Sequence, residues 1–408
     1  MTVHSFSSAA GAAAPLTRAR VSGSLPVWSL SLGCPKNRVD TEHLLGSLGM
    51  PVHSVEHMGR ARLVFINTCG FIEPAVRESI RSILDAVERL GRCKRRPLLA
   101  VAGCMVGRYG VKDLAADLPE VDLCLPPGEL ETWPAMVREA LGLPAAPAAP
   151  GRLLSTGPSY AWLKVGEGCR HKCAFCTIPS IRGPLRSVPA ADLREEARSL
   201  LAGGVRELVL VAQDYMREAG PQLLPYFDIP LQHAHPEVLT RMGRPFANDP
   251  RRVVDRVREA LPETALRTTF IVGYPGETEE HFQTLCRFVE ETRFRHLGVF
   301  AYQAEEGTPA AAMPDQVPME VREERRATLM EIQGEISERQ LQEAVGQTMP
   351  VLVDAPHDEW PGLHVGRVWF QAPEVDGITY VSGLGVAPGA LVQGDIVESS
   401  TYDLTALA

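Results

Sequence analysis

The chain has 408 residues, of which 45% are hydrophobic and 22% charged, a composition typical of a globular protein with two or three domains. Its net charge of -9 argues against extensive nucleic-acid binding, because phosphate contacts require clustered Lys and Arg. No run reaches the roughly 18 apolar residues of a transmembrane helix, and residues 1–25 lack the features of a secretory signal. We therefore expect a disordered tail over 1–25 and a cytoplasmic protein. Nine cysteines in so large a chain favour metal binding or catalysis over disulfides.

Residues 26–141 alternate apolar runs with helical patterns, which predicts a parallel α/β sheet domain. The predicted strands are "VWSLSLG", "RLVFINT", "PLLAVAG" and "VDLCLP". A Pro- and Ala-rich stretch within 142–154 then predicts an interdomain linker.

A second alternating region, 155–345, predicts a partial (β/α) barrel that ends in a long charged helix. Its predicted strands are "YAWLKVGEG", "RELVLVAQD", "YFDIPLQ", "ALRTTFIVGY" and "HLGVFAYQ". Residues 346–408 contain four short predicted strands separated by Gly and Pro turns, which indicates a small β-barrel.

Three cysteines follow the first predicted barrel strand in "GEGCRHKCAFCTIP", namely Cys169, Cys173 and Cys176. Three thiolates do not complete a zinc site, for which His171 is the candidate fourth ligand. The same three thiolates bind a 4Fe-4S cluster with one iron open to a further ligand. The spacing and the place at a barrel strand's end favour the cluster, and Phe175 offers an aromatic face to a flat ligand.

A second triad lies in the N-terminal domain, where Cys34, Cys69 and Cys104 each follow an apolar strand at intervals of 35 residues. The carboxyl ends of parallel strands meet at one edge of a sheet, so these thiols can converge although they are distant in sequence. The alternative is that each is a small buried residue at a strand end.

The two cysteine triads resemble the motifs of known enzymes. A CxxxCxxC loop with an aromatic residue before the third cysteine resembles the radical S-adenosylmethionine (SAM) superfamily. Two triads followed by a small β-barrel similar to a TRAM domain resemble the methylthiotransferases, over residues 26–402. The motifs concerned are "SLGCPKNRVDTE", "NTCGFIEPAVRES", "VAGCM", "GCRHKCAFCTIPSIRGPLRS", "AQD", "DIPLQHA" and "RTTFIVGYPGETEE".

The resemblance implies two 4Fe-4S clusters. Cys169, Cys173 and Cys176 would bind the cluster whose open iron chelates SAM, and Cys34, Cys69 and Cys104 an auxiliary cluster that carries sulfur. One SAM methylates that sulfur, and a second gives a 5′-deoxyadenosyl radical that removes hydrogen from an unactivated carbon, which then captures the methylthio group. An electron donor is needed, and no side chain acts as general acid or base, since such a C–H bond offers a base no acidic proton.

The resemblance also suggests ligand-binding positions in the barrel. It places four residues near SAM: Gln213, Thr269, Gly273 and Glu277. For Glu277, the alternative is a carboxylate that stabilises a helix N-terminus. Gln232 and His233 are candidate substrate residues, although a lone His is more often structural. Arg182 either steers the substrate or belongs to a solvated basic loop.

Within this family, the substrate is either a transfer RNA base or a ribosomal protein. "GCPKN" stands where the transfer RNA enzymes typically have "GCQMN", so the sequence resembles the branch that modifies the β-carbon of an aspartate in ribosomal protein uS12. From Gly346 to Ala408 there are eight Asp or Glu and one Arg, a net charge of -7. That charge repels RNA and complements a basic protein partner, either free or as part of the small ribosomal subunit. The alternative is that the acidic surface only increases solubility.

One segment departs from the family. Eleven residues, "YMREAGPQLLP", separate Asp214 from Tyr226, whereas a parallel crossover needs about a dozen or more. The barrel is therefore predicted to lack one βα unit. An active uS12 methylthiotransferase, a transfer RNA adenosine methylthiotransferase and a non-catalytic iron-sulfur relative stay open as functions.

Overall fold

The computed structural model describes residues 23–145, 151–211 and 223–408. They fall into two units, one with residues up to Arg170 and Thr177–Asp214, the other with His171–Cys176 and Tyr215–Ala408. The described residues do not include positions 1–22 of the predicted tail over 1–25. They also do not include Gln213 or most of the short segment before Tyr226. Within the described ranges, no helix has the length and hydrophobicity needed to cross a bilayer.

The first unit begins with a five-stranded parallel sheet of order β2-β1-β3-β4-β5. Its elements in chain order are β1 (Leu25–Ser31), α1 (Pro35–Gly46), β2 (Val52–Ser54), β3 (Leu63–Thr68), α2 (Glu73–Gly91), β4 (Leu98–Gly103), α3 (Cys104–Tyr109), α4 (Val111–Asp117), β5 (Leu123–Leu125) and α5 (Trp133–Ala140). The sequence missed β2, α3 and α5. β2 has three half-buried residues at the sheet edge, too few for a periodic pattern.

Helices cover both faces of this sheet, which explains why β3 is fully buried and begins with four apolar residues. Phe65 packs in a core with residues of α1 and α5, including Trp133. Its neighbour Ile66 packs on the opposite face with residues of α2, α3 and α4. The strand ends, and with them the cysteines, are thereby fixed at one edge.

The rest of the first unit holds two strands of the predicted barrel and the segment after the cysteine loop. Its elements are β6 (Tyr160–Lys164), β7 (Gly166–Glu167), α6 (Ile178–Arg182), β8 (Arg186–Ser187), α7 (Ala190–Ala202) and β9 (Glu207–Val211). β6 and β9 pair in parallel, and β7 and β8 form a short antiparallel pair. Val39 of α1 packs with Tyr160 and Trp162 of β6, so this pair is held against α1.

The second unit contains the remaining barrel strands. Its elements are β10 (Tyr226–Asp228), α8 (Pro236–Arg241), α9 (Arg251–Ala260), β11 (Ala265–Val272), α10 (Glu279–Thr292), β12 (His296–Ala301) and α11 (Met319–Gln342). β10, β11 and β12 form a parallel sheet. α10 begins with a capping box, in which Thr278 accepts from the His281 backbone N–H and His281 accepts from that of Thr278. In the described residues the five barrel strands thus form two separate sheets.

A closed β-barrel of order β13-β14-β15-β17-β16 ends the chain. Its strands are β13 (Thr348–Pro356), β14 (His364–Arg367), β15 (Thr379–Ser382), β16 (Leu391–Ser399) and β17 (Leu404–Leu407). The sequence predicted four strands, because "GDIVESSTYD" was interpreted as one strand that ended before β17. A buried carboxylate joins this barrel to the parallel sheet of the same unit: Asp376 accepts from Tyr226 Oη at 2.7 Å and from Arg267 Nη1 at 2.8 Å.

Candidate functional site

The three N-terminal cysteines all follow strands of the five-stranded sheet at its carboxyl edge. Cys69 and Cys104 come directly after β3 and β4, and Cys34 lies at the start of α1, three residues after β1. Gly33, at φ +84°, brings the first turn against Cys69, since a Cβ there would lie 2.9 Å from Cys69 Sγ. The fold therefore brings these three strand ends together.

A buried asparagine, Asn37, fixes the geometry of this edge. Its Nδ2 donates to Leu32 O at 2.7 Å and to Thr68 O at 2.9 Å, which joins the ends of β1 and β3. The thiol of Cys104 lies 3.8 Å from Asn37 Oδ1. Asn37 therefore joins the strand ends next to Cys34 and Cys69 and accepts a hydrogen bond from the Cys104 thiol.

The thiols also interact electrostatically. Burial raises the pKa of Cys69 to about 11, and the neighbouring thiolates of Cys104 and Cys34 contribute to the increase. Burial likewise raises the pKa of Cys104, against the effect of the Arg182 guanidinium. Metal coordination removes the proton from such thiols.

No group of three His, Cys, Asp or Glu side chains within the described ranges is arranged to hold a single metal ion. A 4Fe-4S cluster has a different requirement, because each thiolate binds a different iron and the ligands stand further apart. Cys34, Cys69 and Cys104 supply the thiolate donors that such a cluster needs, with buried cations beside Cys104, and a cluster at this edge stays a prediction.

A buried ion network lies beside Cys104, formed by Arg182, Lys164, Lys36, Asp40 and Glu167. Arg182 is 3% exposed and donates from Nε to Cys104 Sγ at 3.2 Å and from Nη1 to Glu167 Oε2 at 2.7 Å. Lys164 pairs with Asp40 and, at 3.1 Å, with Glu167. Lys36 Nζ is buried 3.7 Å from Glu167 and has no hydrogen-bond acceptor in the described part of the chain.

This network changes the interpretation of Arg182. The sequence offered it as a substrate-steering residue or as part of a solvated loop, and the structure contradicts the solvated loop, because the side chain is enclosed by protein groups. A direct substrate role for Arg182 stays a prediction without support from this geometry.

The CxxxCxxC loop is divided between the two units, so its cysteines have separate surroundings. In the first unit, the Cys169 backbone N–H donates to Gly183 O at 3.1 Å. In the second, Cys173 is buried and its Sγ accepts from Arg244 Nη1 at 3.4 Å. Phe175 packs in a small core that includes Tyr274 and Met242. Cys173 therefore has an arginine partner, as Cys104 does.

The motif "VGYPGET" forms a tight turn organised by Glu277. The Glu277 carboxylate accepts from Gly273 N at 3.0 Å and from Arg325 Nη1 at 2.8 Å. Burial opposes its ionisation, but His233, the Gly273 N–H and Arg325 together lower the pKa of Glu277. Gly273 has φ +70°, and any Cβ there would collide with the Arg322 side chain. Glu277 therefore holds the turn, and contacts of Glu277 and Gly273 with SAM stay predictions.

His233 and Gln232 have different environments. His233 is fully buried, accepts at Nδ1 from the His235 backbone N–H at 2.9 Å and lies 3.4 Å from Glu277, as expected of a structural histidine. Gln232 has φ +75°, a conformation unfavourable for a residue with a side chain, and its backbone bonds to both Thr269 and Ile271 of β11. Such strained positions cluster at functional sites, so Gln232 and Thr269 stay candidate ligand-facing residues.

Sequence reasoning missed three residues that contact or flank the cysteines: Arg244, Glu167 and Asp40. Glu167 precedes Cys169 by two residues and lies inside the quoted motif, so its position was a usable signal. Arg244 lies about 70 residues from Cys173, and Asp40 over 140 from Arg182, and neither spacing follows a local pattern.

Three family models match the chain. "Uncharacterized protein family UPF0004" matches residues 27–126, "Radical SAM superfamily" 212–289 and "TRAM domain" 345–408. A ribosomal protein uS12 methylthiotransferase RimO from Nitratidesulfovibrio vulgaris is 60% identical, over 94% of this chain and 100% of the relative. The chain belongs to the RimO family. RimO proteins from Lawsonia intracellularis and Thermus thermophilus are 48% and 39% identical, with 95% and 92% of this chain and 98% of each relative covered.

A solved structure supports the fold of this RimO family member. The radical SAM methyltransferase TsrM from Kitasatospora setae, with cobalamin and a 4Fe-4S cluster bound, aligns with a TM-score of 0.50 at 12% identity, over 84% of this chain and 80% of that one. At this identity, the likeness concerns fold alone.

The alignment with one relative also shows how many of its positions have no counterpart in this chain. The alignment with the N. vulgaris relative spans 430 residues, whereas 94% of this 408-residue chain is about 384 residues. About 46 aligned positions of the relative therefore have no counterpart here. This length suits the βα unit that the sequence predicts to be absent between Asp214 and Tyr226.

Proposed function

We propose that this protein is a radical SAM methylthiotransferase that adds a methylthio group to the β-carbon of an aspartate in ribosomal protein uS12. The observation that carries the proposal is the set of three thiols at the carboxyl edge of the N-terminal sheet, in a chain that also contains a CxxxCxxC loop and is 60% identical to a RimO protein. We propose further that the six cysteines bind two 4Fe-4S clusters and that SAM binds at the cluster of Cys169, Cys173 and Cys176.

The clusters and SAM supply the radical and sulfur chemistry that no protein side chain provides. The chain's own residues bind, orient and shield these groups. Cys34, Cys69 and Cys104 are the ligands of the auxiliary cluster, and Asn37 holds their strand ends in register. Glu277 fixes the turn after β11, and Gln232 presents its side chain from a strained backbone beside that strand.

The C-terminal barrel is proposed to receive the basic uS12 protein. Three of its eight acidic residues are not exposed and have partners in the protein: Asp354 pairs with Arg367, Asp376 pairs with Arg267, and Asp403 accepts from the Ile378 N–H. The other five are exposed, namely Asp358, Glu359, Glu374, Asp395 and Glu398. The negative surface that the sequence predicted is thus concentrated in five carboxylates, which attract a cationic partner and repel RNA.

Reversing two of these charges should weaken the reaction with uS12. Asp358→Lys with Glu359→Lys places two cations in the loop that also exposes Trp360. We expect KM for a basic uS12 peptide to rise roughly tenfold at low ionic strength, with little change in kcat, because rim charges act mainly on encounter. The increase should shrink as added salt screens the charges.

The matched control is Glu331→Lys with Glu338→Lys, which makes the same change in net charge on exposed positions of α11. The control should leave KM nearly unchanged. Equal effects of the two double variants would show that net charge, and not the C-terminal barrel surface, governs the interaction.

The function itself is tested with full-length protein reconstituted anaerobically with iron and sulfide and supplied with reductant and SAM. A uS12 peptide should gain the mass of one methylthio group in place of one hydrogen, with 5′-deoxyadenosine as co-product. Modification of a transfer RNA instead of the peptide would overturn the proposed substrate.

The shortened barrel segment supports a second candidate, an iron-sulfur protein of the same family that does not transfer methylthio groups. It is favoured by the absence of about 46 aligned positions relative to the N. vulgaris protein. The same assay distinguishes the two, because this candidate binds iron at both triads and yields no 5′-deoxyadenosine.

A further inference from the structure

Arg182 directs a hydrogen bond at a cysteine of the auxiliary triad from an unexpected part of the chain. It ends α6, six residues after Cys176 of the other triad. Its Nε–H donates to Cys104 Sγ at 3.2 Å, and its Nη2 donates to Asn37 Oδ1 at 2.5 Å. Asn37 in turn joins the ends of β1 and β3. The guanidinium therefore contacts both a thiol and the residue that fixes the other two cysteines.

The surroundings of Arg182 leave excess positive charge at this edge. The buried ion network has three basic side chains, Arg182, Lys164 and Lys36, and two acidic ones, Asp40 and Glu167. One basic group thus has no acidic counterpart in the network. Charge in a buried site is screened weakly, so an anionic group at the thiols would be stabilised by this excess.

A hydrogen bond to a cluster thiolate also favours the reduced state. Reduction adds one negative charge to an iron-sulfur cluster, and donors to its sulfurs raise the potential at which this occurs. A charge-assisted donor has a larger effect than a neutral one. At Cys104, the donor is a guanidinium, which keeps its proton under all ordinary conditions.

We propose that Arg182, through its hydrogen bond to Cys104, is a positioning residue that raises the reduction potential of the auxiliary cluster. This inference rests on the proposed function, which assigns a cluster to Cys34, Cys69 and Cys104. On this proposal, the segment that follows the CxxxCxxC loop also affects the cluster of the N-terminal domain, through Arg182.

The test uses the full chain with Cys169, Cys173 and Cys176 replaced by alanine, so that the auxiliary cluster is the one measured. In this background, Arg182→Lys keeps the positive charge but lacks the planar fork that reaches both Cys104 and Asn37. Arg182→Gln removes the charge as well. The midpoint potential is followed by a redox titration monitored by electron paramagnetic resonance.

Both variants should have a lower midpoint potential, with the larger shift in Arg182→Gln. For that variant we expect about a tenfold lower reduced-to-oxidised ratio at a fixed potential, which is about 59 mV for a one-electron couple. The control is Arg138→Gln in the same unit, where a buried arginine donates to the carbonyls of Leu48 and Pro144, away from the cysteines. Its potential should be unchanged.

If Arg182→Gln fails to retain a cluster, Arg182→Lys decides, since its side chain preserves the buried charge. An unchanged potential in Arg182→Lys, or an equal shift in Arg138→Gln, overturns the inference and leaves the proposed function intact. If the background protein with Arg182 in place binds no cluster, the assignment of the auxiliary site fails first and the inference fails with it.

Discussion

Replacing Cys104 with alanine should abolish methylthiolation of a uS12 peptide while SAM cleavage continues. Cys104 is the buried member of the auxiliary triad, so its loss removes one of the three ligands proposed for the auxiliary cluster. The other cluster keeps Cys169, Cys173 and Cys176. We expect iron content to fall from about eight to about four atoms per chain and methylthio product to fall at least a hundredfold, as measured by mass spectrometry beside chromatography of 5′-deoxyadenosine.

Cys124→Ala is the control for Cys104→Ala. Cys124 is also buried in the N-terminal sheet, on β5, and burial raises the pKa of its thiol. Its removal should leave iron content and product yield near those of the unsubstituted protein. Wild-type product from Cys104→Ala, or an equal loss in Cys124→Ala, would contradict the assignment of the auxiliary cluster.

Replacing Asp376 with asparagine should strongly destabilise the C-terminal barrel. The Asp376 side chain is fully buried and accepts from Arg267, Tyr226 and the Ala372 N–H, the last at 2.8 Å. Asparagine leaves the mostly buried Arg267 with Asp228 as its remaining counter-ion, at 3.4 Å and half exposed. Breaking a buried pair in this way costs about 3 kcal/mol. Amide hydrogen exchange in β13–β17 should therefore accelerate about a hundredfold.

The matched variant is Asp395→Asn in the same barrel. Asp395 is exposed and accepts one hydrogen bond, from Thr348 Oγ1 at 2.5 Å. Its loss should change the free energy of unfolding by less than about 0.5 kcal/mol. Equal exchange rates in the two variants would mean that the Asp376 cluster does not stabilise the barrel.

The sequence predicted the elements whose signal is local and periodic. β3 and β4 contain continuous apolar runs, so each was identified close to its observed bounds. β2 and β17 were missed because three or four residues at the end of a sheet or barrel are held by their neighbours' hydrogen bonds and not by their own pattern.

The candidate site likewise has one part that the sequence predicted and another that it did not. Cysteines at strand ends were predictable, since the parallel-sheet rule brings such ends together. The charges around them were not, because Arg182, Asp40 and Lys164 meet only after the chain has folded α1 against β6. The roles of Gln232 and Glu277 likewise depend on a backbone angle and on a turn that residue types alone do not specify.

The contacts of α1 bear on how this part of the chain can be exchanged between relatives. Two buried carboxylates of α1 have their partners far along the sequence: Glu42 pairs with Arg152 at 2.7 Å, and Asp40 pairs with Lys164. A fragment or chimaera cut near residue 141 would leave both buried carboxylates without their cationic partners. The region that is transferable as a block therefore extends at least through Arg182, well past the match to the N-terminal family model at 27–126. In recombination between members of the family, the sheet with its cysteines and the segment after the CxxxCxxC loop should be inherited together.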